Sequence, residues 1–116
     1  EEAKSQIILH LLEHDFLNEE RFSKSFARGK FKIKKWGKQR IIKELKLRDI
    51  SVYNINSALK EIEEEDYLET IKTIAEKRNE IINEVDYYKR KKKLTDFLIR
   101  KGYEYDLIYK TVNSIL

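Results

Sequence analysis

Shifted by 53 positions, one half of this 116-residue chain falls on the other: Ile41, Leu45, Ile50, Ile55, Leu59 and Ile62 meet Leu94, Leu98, Tyr103, Ile108, Val112 and Ile115. Upstream, Asp15-Phe16-Leu17 meets Asp66-Tyr67-Leu68 at a shift of 51, and Ile8 and Leu11 meet Leu59 and Ile62 at the same shift. The apolar positions within each copy recur at helical spacing, so the repeated object is a small helical unit that buries one face against its neighbours. A row of such units has no central cavity to build chemistry in. Function is to be read as a surface laid along the row.

The chain contains no proline and only three glycines, Gly29, Gly37 and Gly102, so little interrupts its helices. Charged residues make up 40% of it and the mean hydropathy is −0.70, which favours stacked amphipathic helices over a thick-cored globule. The expected fold is all-α, tandem three-helix repeats forming an elongated, curved array. Residues 1–14 read as the last helix of an incomplete first repeat, 15–64 as a second repeat and 65–116 as a third.

In the second repeat, Asn18 reads as an N-cap, with Glu19 and Glu20 favoured by the helix dipole and Leu17 with Phe22 placed as a staple. Phe22, Phe26, Gly29 and Ile33 form one stripe able to face a neighbour, and the helix is expected to end near Lys35-Trp36-Gly37. A second helix over 38–48 turns Ile41, Ile42 and Leu45 inward. A third, capped by Ser51 and stapled by Ile50 and Ile55, turns in Ile55, Ala58, Leu59 and Ile62. Glu104 holds the place of Ser51 in the last repeat and is a poorer cap.

Net charge is only +4, yet Arg21 to Arg48 holds twelve Lys or Arg and one acid, Glu44. Like charges three and four residues apart on a helix repel, so solubility alone does not account for this cluster. A polyanionic partner does, either nucleic acid or an acidic protein groove. The candidate contacts are Arg21, Lys24, Arg28, Lys35, Lys38, Arg40 and Lys43. Arg21, Lys24 and Arg28 share one side of their helix, with Phe22 and Phe26 expected to face inward. Trp36 is expected to anchor its loop to the core, and Tyr87, Tyr88, Tyr103, Tyr105 and Tyr109 to be half-buried packing residues. The run Lys89 to Lys93 points all round its helix and is not expected to meet one surface.

His10-Leu11-Leu12-Glu13-His14 spells H-x-x-E-H, a zinc-peptidase pattern, but Ile7, Ile8, Leu11 and Leu12 define the buried stripe, which leaves His10 toward solvent and His14 at its border. Neither a third ligand with a motif of its own nor a Gly-rich phosphate loop is evident, and cysteine is absent. No enzyme activity, metal or cofactor is expected. The chain has no run of about 18 apolar residues, and Glu1-Glu2-Ala3-Lys4 does not read as a secretory leader, so no membrane contact and a cytoplasmic location are expected.

Leu17-Asn18-Glu19-Glu20-Arg21-Phe22, then Phe26, Arg28, Lys35-Trp36-Gly37, Arg40-Ile41, Glu44-Leu45 and Ile50, resemble the central repeat of the RecX proteins, bacterial regulators of the recombinase RecA. Leu98-Ile99-Arg100-Lys101-Gly102-Tyr103 looks like the matching corner of their third repeat. Asp49 stands where that family usually has glycine; Asp tolerates a left-handed conformation better than most residues, so the turn is expected to survive. The resemblance implies a monomer that lies in the groove of the RecA nucleoprotein filament, with a weak DNA contact through its basic face. There it would restrain ATP hydrolysis, strand exchange and coprotease activity, in DNA repair, homologous recombination and the SOS response. Direct, sequence-independent nucleic-acid binding is the alternative.

Overall fold

The computed structural model describes residues 2–116, with side chains from residue 18 onward. Six helices follow one another: α1 (Glu2–Lys34), α2 (Lys38–Leu47), α3 (Val52–Leu59), α4 (Glu64–Ile81), α5 (Tyr87–Lys101) and α6 (Tyr105–Ile115). The described residues contain no strand. Helix α1 packs on α2 and α3, while α4, α5 and α6 pack on one another. The extents are 73 × 23 × 21 Å and the radius of gyration is 19.0 Å, against about 13 Å for a compact chain of this length.

Helix α1 is longer than its sequence signals suggest. Asn18, read as a cap, is an exposed residue inside a helix that runs unbroken through it. An Asn inside a helix costs only about 0.7 kcal/mol relative to Ala, and no proline or glycine stands nearby to turn that preference into a break. The buried stripe differs too. Ser23, Ala27 and Phe31 face the core, whereas Phe22 is 45% and Ile33 77% exposed.

Elsewhere the repeated pattern is the core. Ile41, Leu45 and Ile55 are buried, as are their counterparts Leu94, Leu98 and Ile108, and Ile42, Ile50 and Leu59 pack beside them half-buried. Each such side chain contributes roughly 1.5–3 kcal/mol when fully buried. Ser51 caps α3 as expected, its Oγ accepting from Asn54 N–H at 3.2 Å. Among the tyrosines, Tyr103 is buried, but Tyr87, Tyr88, Tyr105 and Tyr109 are between 47% and 78% exposed.

Polar groups fix how each first helix meets its third. A Glu19 carboxylate oxygen accepts from Ser51 Oγ at 3.1 Å and from the buried Asn54 amide. In the second trio, Tyr67 Oη takes that place, donating to Glu104 at 2.7 Å and accepting from Lys38 N–H at 2.9 Å. Glu104 makes no cap bond of its own. Glu19 and Tyr67 are therefore equivalent in role, so the first helices correspond at 48 positions (67 − 19) rather than 51. The longer connection 82–86 and the earlier start of α5 together take up the difference from the shift of 53.

Lys35, Asp49 and Gly102 end α1, α2 and α5 in left-handed geometry, at φ 61°, 58° and 100°. After each, an N–H reaches back to close the helix, as from Trp36 to Lys30 O, Ile50 to Leu45 O and Tyr103 to Leu98 O. The first of these ends is set directly on the last. Gly37 N–H donates to Lys101 O at 2.7 Å and Gln39 N–H to Gly102 O at 2.8 Å, while Tyr103 Oη donates to Lys35 O at 2.7 Å. A Cβ on Gly37 would overlap the Gly102 carbonyl, and one on Gly102 would overlap Arg40. Phe31, Tyr67 and Tyr103 continue the joint as a chain of rings 5.9 and 5.2 Å apart.

Two contrasts test this account in urea denaturation. Gly29→Ala, with nothing within 4 Å of the added Cβ, should stabilise by about 0.5–1 kcal/mol. Gly102→Ala should destabilise by at least about 2 kcal/mol, because it adds both backbone strain and a collision. Tyr67→Phe should cost about 1–3 kcal/mol by stranding Lys38 N–H and Glu104. Equal effects at Gly29 and Gly102 would contradict the joint.

Candidate functional site

Around Trp36 the surface alternates rings and cations. Phe22, Phe26 and Trp36 follow one another with centroids 5.7 and 6.2 Å apart. The Arg40 guanidinium lies over Trp36 at 4.2 Å, Lys30 Nζ over the same ring at 5.0 Å, and Arg48 over Phe26 at 4.9 Å. Each ring face attracts the charge above it and orders a side chain that would otherwise sweep through solvent. Trp36 is half-buried and packs against the core, and it also presents two cations outward.

The seven candidate cations do not all serve one purpose. Arg28 is paired with Glu61 just past the end of α3, and Lys24 with Glu20 one turn back at 3.2 Å. Lys38 is drawn to the joint, with Nζ 4.6 Å from the Tyr67 ring and 3.8 Å from Glu64. Lys35 is exposed and acts through its backbone, as the left-handed residue whose carbonyl receives Tyr103. Arg21 and Lys43 are exposed, and no ion pair joins either to a described residue. Arg40 crosses the joint, one guanidinium nitrogen donating to Arg100 O at 3.3 Å.

That crossing reveals cations that sequence reasoning missed. Lys101 Nζ donates to Lys34 O at 3.0 Å, at the carbonyl end of α1, where the helix dipole welcomes a cation. Its pKa is held below the ordinary lysine range, first by burial and then by repulsion from Arg40, Lys34 and Arg78. Arg78 in turn lies over Phe97 at 4.6 Å. Lys30, Lys34, Arg40, Arg78, Arg100 and Lys101 therefore make a positive seam drawn from four helices and both trios. None of the six is ion-paired to a described acid. Arg100-Lys101 beside Gly102 was legible as a helix end, but nothing in the linear sequence says that Arg40 sits opposite.

The run 89–93 divides as its helical spacing requires. Arg90 turns inward and binds the carbonyls of Asn79, Ile82 and Glu84, closing the end of α4, while Lys92 and Lys93 pair with Asp96 and Glu84. His10, Glu13 and His14, like the stripe from Ile7 to Leu12, lie outside the residues whose side chains are described. Among the described residues no cluster of acids or His could hold a metal, and no helix is long and apolar enough to cross a membrane.

Two family models match the chain: RecX, second three-helix domain, over residues 18–59, and RecX, third three-helix domain, over residues 64–112. The regulatory protein RecX of Clostridium botulinum (strain Alaska E43 / Type E3) is 32% identical over 118 residues, covering 100% of this chain and 55% of its own. That of Clostridioides difficile (strain 630) is 27% identical over 111 residues, covering 96% and 52%. The chain thus spans about half the length of these curated relatives. The crystal structure of RecX from Lactobacillus salivarius superimposes with a TM-score of 0.78 at 24% identity, covering 99% of this chain and 75% of that one, and so shows the same fold.

If the seam receives a polyanion, the repulsion on Lys101 must fall when one binds. Followed by NMR, the Lys101 ε-methylene should titrate below the ordinary lysine range in the free protein and move upward on adding heparin. A titration that heparin leaves in place would remove Lys101 from the seam.

Proposed function

The chain belongs to the RecX family, and on that premise we propose that it binds the RecA nucleoprotein filament along its groove and restrains ATP hydrolysis, strand exchange and coprotease activity. The observation that carries this reading is the uncompensated positive seam that crosses the joint between the trios. An elongated body with such a seam gathers many modest contacts over a long footprint, which suits a filament and needs no catalytic pocket. The surface is cationic at Arg21, Lys43 and along the seam, the complement of acidic protein walls or exposed phosphate. The same reading takes 15–64 and 65–116 as the second and third repeats, and 1–14 as the end of a first, joined within α1 to the opening helix of the second.

Sequence-independent binding of nucleic acid is the second reading, favoured by the exposed Phe22 ring beside the Phe26, Trp36 and Arg48 stack. Salt separates the two. Tight binding of bare DNA that weakens steeply with ionic strength, with RecA absent, would favour the second.

RecA's DNA-dependent ATPase decides the first. It should fall as this protein is added. Arg40→Glu with Lys43→Glu and Arg100→Glu should weaken the apparent affinity by at least about tenfold while leaving helical circular dichroism unchanged. An ATPase unmoved at saturating protein would refute the proposal.

A further inference from the structure

Where α2 passes the α5–α6 corner, the joint leaves an open groove of about 630 Å³. Arg40, Lys43 and Arg100 stand on its walls, with no acid paired to any of them among the described residues. Glu44 is also there, but Arg48 holds it at 3.1 Å. Between the cations lie Ile99 and Tyr105, 37% and 62% exposed, and Tyr109 follows one helical turn on at 53%. Gln39 adds an amide that can both donate and accept at the rim.

We propose that this groove seats an extended acidic peptide segment of the protein partner, an aromatic or aliphatic residue lying against Ile99 and Tyr105 while flanking carboxylates meet Arg40, Lys43 and Arg100. The inference rests on the reading of the seam as the partner-facing side. Charge complementarity makes the peptide acidic, and the exposed apolar pair between the cations gives it an anchor. A nucleic-acid strand fits less well, because an unbroken row of phosphates would have to pass the carboxylate of Asp106, and beside the one ring of Tyr105 stands an aliphatic Ile99 on which no base can stack. A peptide places its carboxylates only where the cations stand, and its backbone can pair with the Gln39 amide.

The test is fluorescence anisotropy with a labelled peptide of Asp and Glu around one central Phe. Replacing that Phe by Gly should weaken binding at least about fivefold, and Ile99→Ala with Tyr105→Ala in the protein about tenfold. Both side chains are exposed enough for the double variant to fold, which circular dichroism checks. The same variant should leave oligo-dT binding within about twofold. Peptide binding indifferent to the anchor, or an oligo-dT affinity that falls in parallel, would overturn the proposal. If the wild-type chain restrains the RecA ATPase and the double variant does so equally well, the groove assignment fails alone. If the wild type has no effect, the seam reading fails with it.

Discussion

Two backbones meeting without side chains between them hold this molecule in shape. Gly37 and Gly102 come so close that neither position has room for a methyl group, and that closeness lets Gly37 N–H and Gln39 N–H reach the carbonyls of Lys101 and Gly102. Buried backbone groups must be paired somewhere, and here the two trios pair each other's. The rings of Phe31, Tyr67 and Tyr103 then fill the space beside the contact, and Tyr67 adds a hydroxyl that ties Lys38 N–H to Glu104. The result is a chain of two small cores that behave as one body.

The seam follows from that geometry. Each trio alone would show ordinary surface cations, well separated and screened. Setting α2 against the end of α5 brings Arg40 beside Arg100 and Lys101, and setting α1 there brings Lys34. The pKa of Lys101 is depressed first by its burial at the joint and then by that crowding, and a negative partner relieves the second of these. Rings under Lys30, Arg40 and Arg78 fix where the charges point.

The repeating apolar positions of the second and third helices of each trio were legible, because helical spacing and a constant shift of 53 leave few ways to bury them, and Ile41 with Leu94 or Leu45 with Leu98 are buried alike. The start of the second repeat was not. Asn18, Glu19 and Glu20 spell a cap, but a cap signal only permits a helix to begin, and Glu19 instead spends its carboxylate on Ser51 and Asn54. The Phe22 and Ile33 stripe misled for a related reason: apolar spacing shows that a face exists, not that the chain itself covers it. Of the candidate cations, Arg40 and Lys43 border the joint, while Arg28 and Lys24 are spent on nearby acids. Arg78, Arg100 and Lys101 were invisible because their importance comes from a contact between residues some sixty positions apart, such as Arg40 with Arg100.

The glycine pair occurs once. At the corner of the first trio that corresponds to Gly102 stands Asp49, which takes the left-handed turn at φ 58° and carries the Cβ that Gly102 lacks. The connection 82–86, which corresponds to the loop of Gly37, contains no glycine at all. Neither of those two places repeats the glycine-on-glycine contact that joins the trios. A contact this close is particular to the one joint, and the two trios are not interchangeable links.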